Sequence, residues 1–364
     1  DAGEPVFEAG DVRLYPAAVA SVLLEQGHLI ADLRLDFDVY HRDDPDGLDA
    51  ANRLIVRNDG YLGYDSRGFA AYLGRLDNHW GAPGAPALLL SDNPASFDRL
   101  FLRLGGGRVA LRSVLGELDS ITRDGRFTGG AGADSVAGSE RRFVAAHRFD
   151  WRPSRNVALT FMEANLYSGP NASPSLKYLN PLFLHTFLVD EPPKNDENNG
   201  LLAGMLWLHR GRLTLHGQLL LDDFDLLAES GEPPSLALTG TLHARLAPAV
   251  DAGARLSVLS ARVYNTHQPE GRYLYLLRGL GTQFNDYVHA TVFADLYADR
   301  LLPGLIVTPQ VDYLAQGEYG INLPYPHVDV PFVVYGTAER TTRLGASFYV
   351  QRDPRLWLRL DAGV

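Results

Sequence analysis

Apolar and polar residues alternate through much of this chain with a period of two, the signature of strands with one apolar and one polar face. The stretch 28–40 is the clearest: Ala31, Leu33, Leu35, Phe37 and Val39 fall on one side, and Asp32, Arg34, Asp36, Asp38 and Tyr40 on the other. In 212–222, Leu213, Leu215, Leu219 and Leu221 alternate with Thr214, His216, Gln218 and Asp222. In 236–247, Leu236, Leu238, Leu242 and Leu246 alternate with Thr239, Thr241, His243 and Arg245. Such segments come in pairs, each joined by a short turn and followed by a longer connection. The pairs are 11–24 with 28–40, 52–62 with 67–76, and 96–104 with 108–118. Next come a hairpin over 141–166 turning at Trp151–Ser154 and one over 200–222 turning at Arg210-Gly211. The last three pairs are 236–247 with 252–264 at Pro248, 284–298 with 304–316 near Pro303, and 338–351 with 355–364 at Asp353-Pro354.

The pattern predicts about sixteen strands of ten or more residues in an all-β, antiparallel fold. Short turns at one end and long loops at the other are the dimensions of a transmembrane β-barrel of the outer-membrane type. A soluble sandwich or propeller shares the local periodicity but does not sort its connections into two length classes. The reading is one domain over 1–364, with long extracellular loops near 77–95, 119–140, 167–199, 223–235, 265–283 and 317–337. With short turns on the periplasmic side, sixteen strands leave both chain ends outside the cell. One further strand at each end would bring the intact protein to eighteen.

Composition narrows the function. No run of eighteen apolar residues occurs, which excludes a membrane-spanning helix and says nothing against a barrel. The N-terminal Asp1-Ala2-Gly3-Glu4-Pro5 carries no secretory signal. The absence of cysteine removes disulfides, thiolate metal sites and cysteine nucleophiles. A net charge of −11 argues against a nucleic-acid partner. Lys177 and Lys194 are the only lysines, so nearly all positive charge is arginine, suited to planar pairing in confined places.

Charges of both signs sit on the polar faces, among them Asp32, Arg34, Arg99, Arg103, Arg112, Arg142, Arg148, Arg245 and Asp312. Arginine on the lipid face would cost roughly 2–4 kcal/mol at the bilayer midplane, so these residues are expected to point inward. There they form either a stiffening lattice of arginine–carboxylate pairs or a polar lumen for an anionic glycan. Loop aromatics, including Trp80, Tyr167, Tyr178, Tyr264 and Tyr273, suit an interfacial girdle or a platform for sugar rings. The clusters Asp222–Asp225 and Asn195–Asn199 offer oxygen ligands without calcium-loop spacing and read as solvated loop charge. No nucleophile elbow or HExxH motif is present. Neither enzyme activity, nor a cofactor, nor a metal is expected.

The order Leu73-Gly74-Arg75, Trp80-Gly81 and Leu88-Leu89-Leu90-Ser91-Asp92-Asn93-Pro94 resembles the capsule assembly Wzi family. So does the run from His147-Arg148-Phe149 through Glu163 and Tyr167-Ser168-Gly169 to Tyr178-Leu179-Asn180-Pro181, then Asn198–Leu202, Gln218 and Leu221-Asp222-Asp223. The likeness spans about 70–225. It implies a barrel of about eighteen strands in the outer membrane of a Gram-negative bacterium, acting at the cell surface as a lectin for capsular polysaccharide. Known members attach exported capsule and are not the export channel. They also carry a helical segment before the barrel that helps close its periplasmic end, and none is recognisable here.

The expectation is therefore a monomeric, non-catalytic protein in contact with outer-membrane lipid that binds capsular or other surface polysaccharide. Its candidate residues lie in the long connection after 166: Tyr167 and Tyr178 for stacking, with Asn171, Asn180, His185, Asp222 and Asp223 for hydrogen bonding. The alternative is a passive porin whose charged ladders line an open channel.

Overall fold

A computed structural model describes residues 17–38, 55–82, 84–122, 139–169, 171–182, 185, 197–222, 235–266, 268–323, 331–353 and 356–363. The strands are β1 (Ala17–Gln26), β2 (Leu29–Asp38), β3 (Ile55–Asp65), β4 (Phe69–Arg75), β5 (Arg99–Gly106) and β6 (Val109–Thr122). Then follow β7 (Ser139–Ser154), β8 (Val157–Gly169), β9 (Glu197–Arg210), β10 (Leu213–Asp222), β11 (Ser235–Ala247) and β12 (Val250–Leu259). A two-stranded ribbon, β13 (Leu274–Tyr275) and β14 (Arg278–Gly279), precedes β15 (Tyr287–Tyr297), β16 (Leu305–Gln316), β17 (Glu339–Asp353) and β18 (Leu356–Gly363). One helical turn, α1 (Leu176–Leu179), lies between β8 and β9.

Apart from the ribbon, the strands form one antiparallel sheet of sixteen, each paired with its neighbours in chain order. In this meander the long connections leave and rejoin the sheet at one rim and the short turns at the other, as the alternating lengths predict. Gly27 (φ 63°) and Gly211 (φ 62°) supply the positive φ that their two-residue turns demand. Several strand ends shift by a few residues from the sequence reading, and two boundaries differ more. The hairpin expected to turn at Trp151–Ser154 turns instead at Arg155-Asn156, with a bulge between Trp151 and Ser154. The strand expected over 252–264 stops at Leu259, because the chain then leaves the sheet and enters the interior. Among the described residues the end strands β1 and β18 are not bonded to each other.

The faces are inverted relative to a water-soluble sheet. On β10, Leu213, Leu215 and Leu219 are exposed while His216, Gln218 and Asp222 are buried. On β11, Leu238 and Leu242 are exposed while Thr239 and Thr241 are buried. Exposed Leu62, Leu73, Val292, Val311, Leu344 and Leu358 continue the outer apolar surface. A continuous apolar exterior of this kind needs lipid rather than water beside it. Inside, arginine–carboxylate pairs line the wall: Arg103 bonds Asp65 at 2.8 Å, Arg148 bonds Asp150 at 2.9 Å, and Arg112 also reaches Asp150.

The sheet curls around two connections that fold inward, 76–98 and 260–286. Their core is Trp80, Leu88, Leu89, Leu90, Tyr264, Tyr273 and Leu280, packed against inward Val114, Val144, Met162, Leu166, Leu201 and Leu220. Leu88, Leu89 and Leu90 are at most 1% exposed, so these three consecutive leucines belong to an interior plug and not to a solvated loop.

Candidate functional site

Polar groups on the inner wall hold the plug. Gln218 donates to the Pro86 carbonyl at 2.8 Å and accepts from the Leu88 amide at 3.3 Å. Arg142 is fully buried and donates to the carbonyls of Glu270 (2.7 Å), Arg272 (2.5 Å) and Leu274 (3.1 Å), with Asp119 3.5 Å away. Asp119 in turn accepts from the Leu276 amide at 3.0 Å, and Asn199 donates to the Gly271 carbonyl at 2.9 Å. Asp119 of β6, Arg142 of β7 and Asn199 of β9 thus hold residues 270–276, and Gln218 of β10 holds residues 86–88, so each inward connection is seated on the wall.

The two inward connections also seal against each other. The Ser91 amide donates to the Leu280 carbonyl at 2.8 Å, and Asn93 donates to the Gly279 carbonyl at 2.9 Å and to Gln283 at 3.0 Å. Tyr264 and Tyr273 stack at 16° and donate to the carbonyls of Leu88 (2.5 Å) and Leu89 (3.0 Å). Burial pushes both phenols well above the ordinary tyrosine range. Burial likewise raises the Asp286 carboxyl, against the amides of Tyr335 and Tyr319 that it accepts. At the ribbon tip Leu276 (φ 50°) and Leu277 (φ 64°) are both left-handed, a turn that ordinarily takes Asn-Gly. Such backbone costs of order 1–2 kcal/mol per residue and is held here by the Asp119 bond.

Where the plug meets β15 and β16, a cavity of about 420 Å³ opens, adjoining the long connections. His79, Asp92, Asn93, Gln283 and Phe284 line it, and the Phe284 side is 45% exposed. A second cavity, about 680 Å³, lies toward the short-turn end and is lined by Arg108, Arg148, Arg152 and Arg155 with Asp150, Trp207 and His216.

The described part of the connection after β8, 171–182 with His185, behaves differently: it folds over the outside of the wall. Register fixes this. On β7 the outward series is Phe143, Ala145, His147, Phe149 and Trp151, paired with Tyr167, Asn165, Glu163, Phe161 and Leu159 of β8. Phe149, Trp151, Leu159 and Phe161 are exposed, as lipid-facing residues should be, whereas Phe143, His147, Glu163 and Tyr167 are buried because α1 covers them. Tyr167 stacks on Phe143 at 5.4 Å and on Tyr178 of α1 at 4.1 Å. Ser113, on the same face of β6, donates to the Leu179 carbonyl at 2.9 Å. Leu176 and Leu182 point away from the wall, 83% and 78% exposed.

Beneath this cover His147 Nδ1 lies 2.9 Å from Glu163, and His147 Nε2 lies 3.1 Å from the Tyr178 carbonyl and 3.4 Å from His185 Nε2. Burial, then the adjacent His147, lowers the His185 pKa to about 4.

No family model matches the chain, and no curated protein matches it in sequence. By structure it is similar to Wzi of Escherichia coli, an outer membrane protein involved in group 1 capsule assembly and a carbohydrate-binding β-barrel. The TM-score is 0.60 at 10% identity, covering 96% of this chain and 74% of that one. The fold is that of an outer-membrane β-barrel. OprD of Pseudomonas aeruginosa is also similar, with a TM-score of 0.51 at 11% identity over 96% of this chain and 83% of that one.

The barrel distributes the sequence-nominated residues over three places. Tyr167, Tyr178 and His185 come together on the outer wall, with their ring faces occupied by one another rather than open to a sugar. Asn180 accepts from the Leu182 amide at 3.1 Å and sets the turn after α1, while Asn171 is exposed nearby. Asp222, read as solvated loop charge, is instead fully buried in the lumen and accepts from the Tyr264 amide at 2.5 Å. That bond offsets part of what the carboxylate loses on leaving water. Asp223 lies outside the described residues. Trp80, Tyr264 and Tyr273 form neither girdle nor platform; they are plug core. The sequence reading missed the facing pair His147 and Glu163. The signal was available: each is a charged or polar break in an outward apolar series, and in a hairpin the two breaks lie opposite one another.

Proposed function

We propose that this barrel is a non-catalytic outer-membrane surface protein that binds, and helps hold, capsular or other surface polysaccharide at the rim bearing its long connections. The observation that carries the reading is a pair of inward connections packed against the inner wall, with a cavity beside them that adjoins the long connections. The plug of Leu88, Leu89, Leu90, Tyr264 and Tyr273 narrows the path of a solute, while the cavity between it and β15 and β16 combines one exposed aromatic face with carboxylate, imidazole and amide groups. Sugars are recognised through that combination of apolar ring contact and directed hydrogen bonds. We place the sugar contact at Phe284, Asn93, Gln283, Asp92 and His79, with Asn171 as a further exposed contact. Tyr167, Tyr178, Asn180 and His185 then position the connection after β8, and Asp222 anchors the plug. The carbohydrate-binding description of the structurally similar Wzi supports the same reading.

The test is binding of the detergent-purified protein to a panel of bacterial surface polysaccharides, with Phe284→Ala and Asn93→Ala alongside. Saturable binding, weakened about tenfold by loss of the ring contact worth about 1–1.5 kcal/mol, is the expected result. No binding across the panel by protein that is folded and conducts ions would sink it.

One observation favours a second reading, a passive porin. The arginines around the 680 Å³ cavity set a positive field in the lumen on the short-turn side, suited to drawing in anions. Single-channel conductance separates the readings, since a plugged barrel passes almost no current.

A further inference from the structure

We propose that His147 and His185, with Glu163 behind them, form a binding site for a divalent zinc-type metal ion that clips the connection after β8 to the outer wall. The inference stands apart from the polysaccharide reading, because it concerns a different face of the barrel. Three observations carry it.

The first is spacing. Two nitrogens bound to one tetrahedral zinc at about 2.0–2.1 Å lie roughly 3.4 Å apart. His147 Nε2 and His185 Nε2 are 3.4 Å apart. The Tyr178 carbonyl, 3.1 Å from the same His147 nitrogen, is positioned as an oxygen neighbour.

The second is the orienting group. A histidine bound to metal through one nitrogen ordinarily gives its other N–H to a carboxylate, which fixes the ring and raises its basicity. Glu163 takes that place at 2.9 Å from His147 Nδ1, and strand register sets His147 and Glu163 directly opposite each other. Both side chains are buried, at 5% and 1% exposed, on rigid paired strands.

The third is incomplete hydrogen bonding. His185 is 1% exposed, and its Nδ1 has no partner among the described residues. The two facing Nε2 atoms can share one proton at most, and the Tyr178 carbonyl competes for it. A buried polar cluster on an otherwise apolar, lipid-facing surface is costly unless something compensates it. A cation between the two nitrogens does so. The nitrogen-rich set with one oxygen selects borderline metals such as zinc, cobalt or nickel over calcium or magnesium.

The consequence is local. Of the ligands, His147 belongs to the wall while His185 and the Tyr178 carbonyl belong to the connection, so the metal ties α1 down where Leu176 and Leu182 face lipid.

The experiment uses tag-free, detergent-purified barrel stripped with EDTA. Zinc binding is measured by competition with a chromophoric chelator, and cobalt binding by its visible absorption. Lysine-specific protease gives an independent readout, because Lys177 and Lys194, the only two lysines, both lie between β8 and β9. Native protein is expected to take up one more equivalent of zinc than His185→Ala and to show the intense absorption of tetrahedral cobalt. Zinc should also slow cleavage at Lys177 at least tenfold. Glu163→Gln should weaken zinc binding 10- to 100-fold without abolishing it. Heat-modifiable gel mobility identifies folded barrel, and His185→Gln serves if His185→Ala does not fold. Equal zinc uptake by native protein and the folded His185 variant would overturn the proposal, as would cleavage at Lys177 that zinc leaves unchanged.

Discussion

Arg142→Met tests whether the plug is a sealed part of the barrel or a loop that drifts in and out. The arginine is fully buried and serves three plug carbonyls, those of Glu270, Arg272 and Leu274, together with the Asp119 carboxylate. Methionine keeps the length and apolar stem while removing every donor. Leaving a buried acceptor without its donor costs about 1–3 kcal/mol, and breaking one side of a buried ion pair about 3–5 kcal/mol. Water entering from the lumen re-solvates part of this set, so the net loss falls at about 3–5 kcal/mol rather than at the sum. That raises the fraction of time the plug is open by roughly two to nearly four orders of magnitude. The assay is single-channel recording in planar bilayers, with hydrogen exchange over 269–280 as the structural readout. The expected result is frequent ion-conducting openings and fast exchange in that segment, with barrel mobility on unheated gels unchanged. Conductance and exchange identical to the native protein would show that Arg142 does not hold the plug.

Other outcomes follow from the same geometry. Gly281→Ala should loosen the seal between the two inward connections, because a methyl group there runs into the Leu88 carbonyl and the Tyr264 hydroxyl; increased current noise checks it. Leu277→Gly should do the reverse, relieving left-handed backbone and slowing exchange of the Leu276 amide by roughly five- to thirtyfold for about 1–2 kcal/mol. Leu238→Arg places a charge on the exposed outer face and should cost about 2–4 kcal/mol at midplane depth, read as a lower denaturant midpoint in lipid vesicles. Thr239, its buried neighbour, should tolerate serine far better, since the hydroxyl bond to Ser257 at 3.0 Å survives.

The strand pattern and facing were legible in the sequence by itself, because a strand in lipid must place leucine outward and polar groups inward at every second position. The alternation of Leu213, Leu215 and Leu219 with His216 and Gln218 carries that rule without reference to any distant residue. Strand pairing followed for the same local reason, through short turns such as Gly211-Arg212. The destinations of the long connections were not legible, since the period of two ends at the rim. Whether Leu88, Leu89 and Leu90 enter the lumen or stay in solvent is decided by Gln218, 130 residues away, and by Ser91 meeting Leu280 at a separation of 189. The outward fold of α1 likewise depends on a surface built by β6, β7 and β8 together. Periodicity follows from the solvent on each side of the wall, whereas the plug and the histidine cluster follow from complementary groups that only the folded chain brings within hydrogen-bond reach.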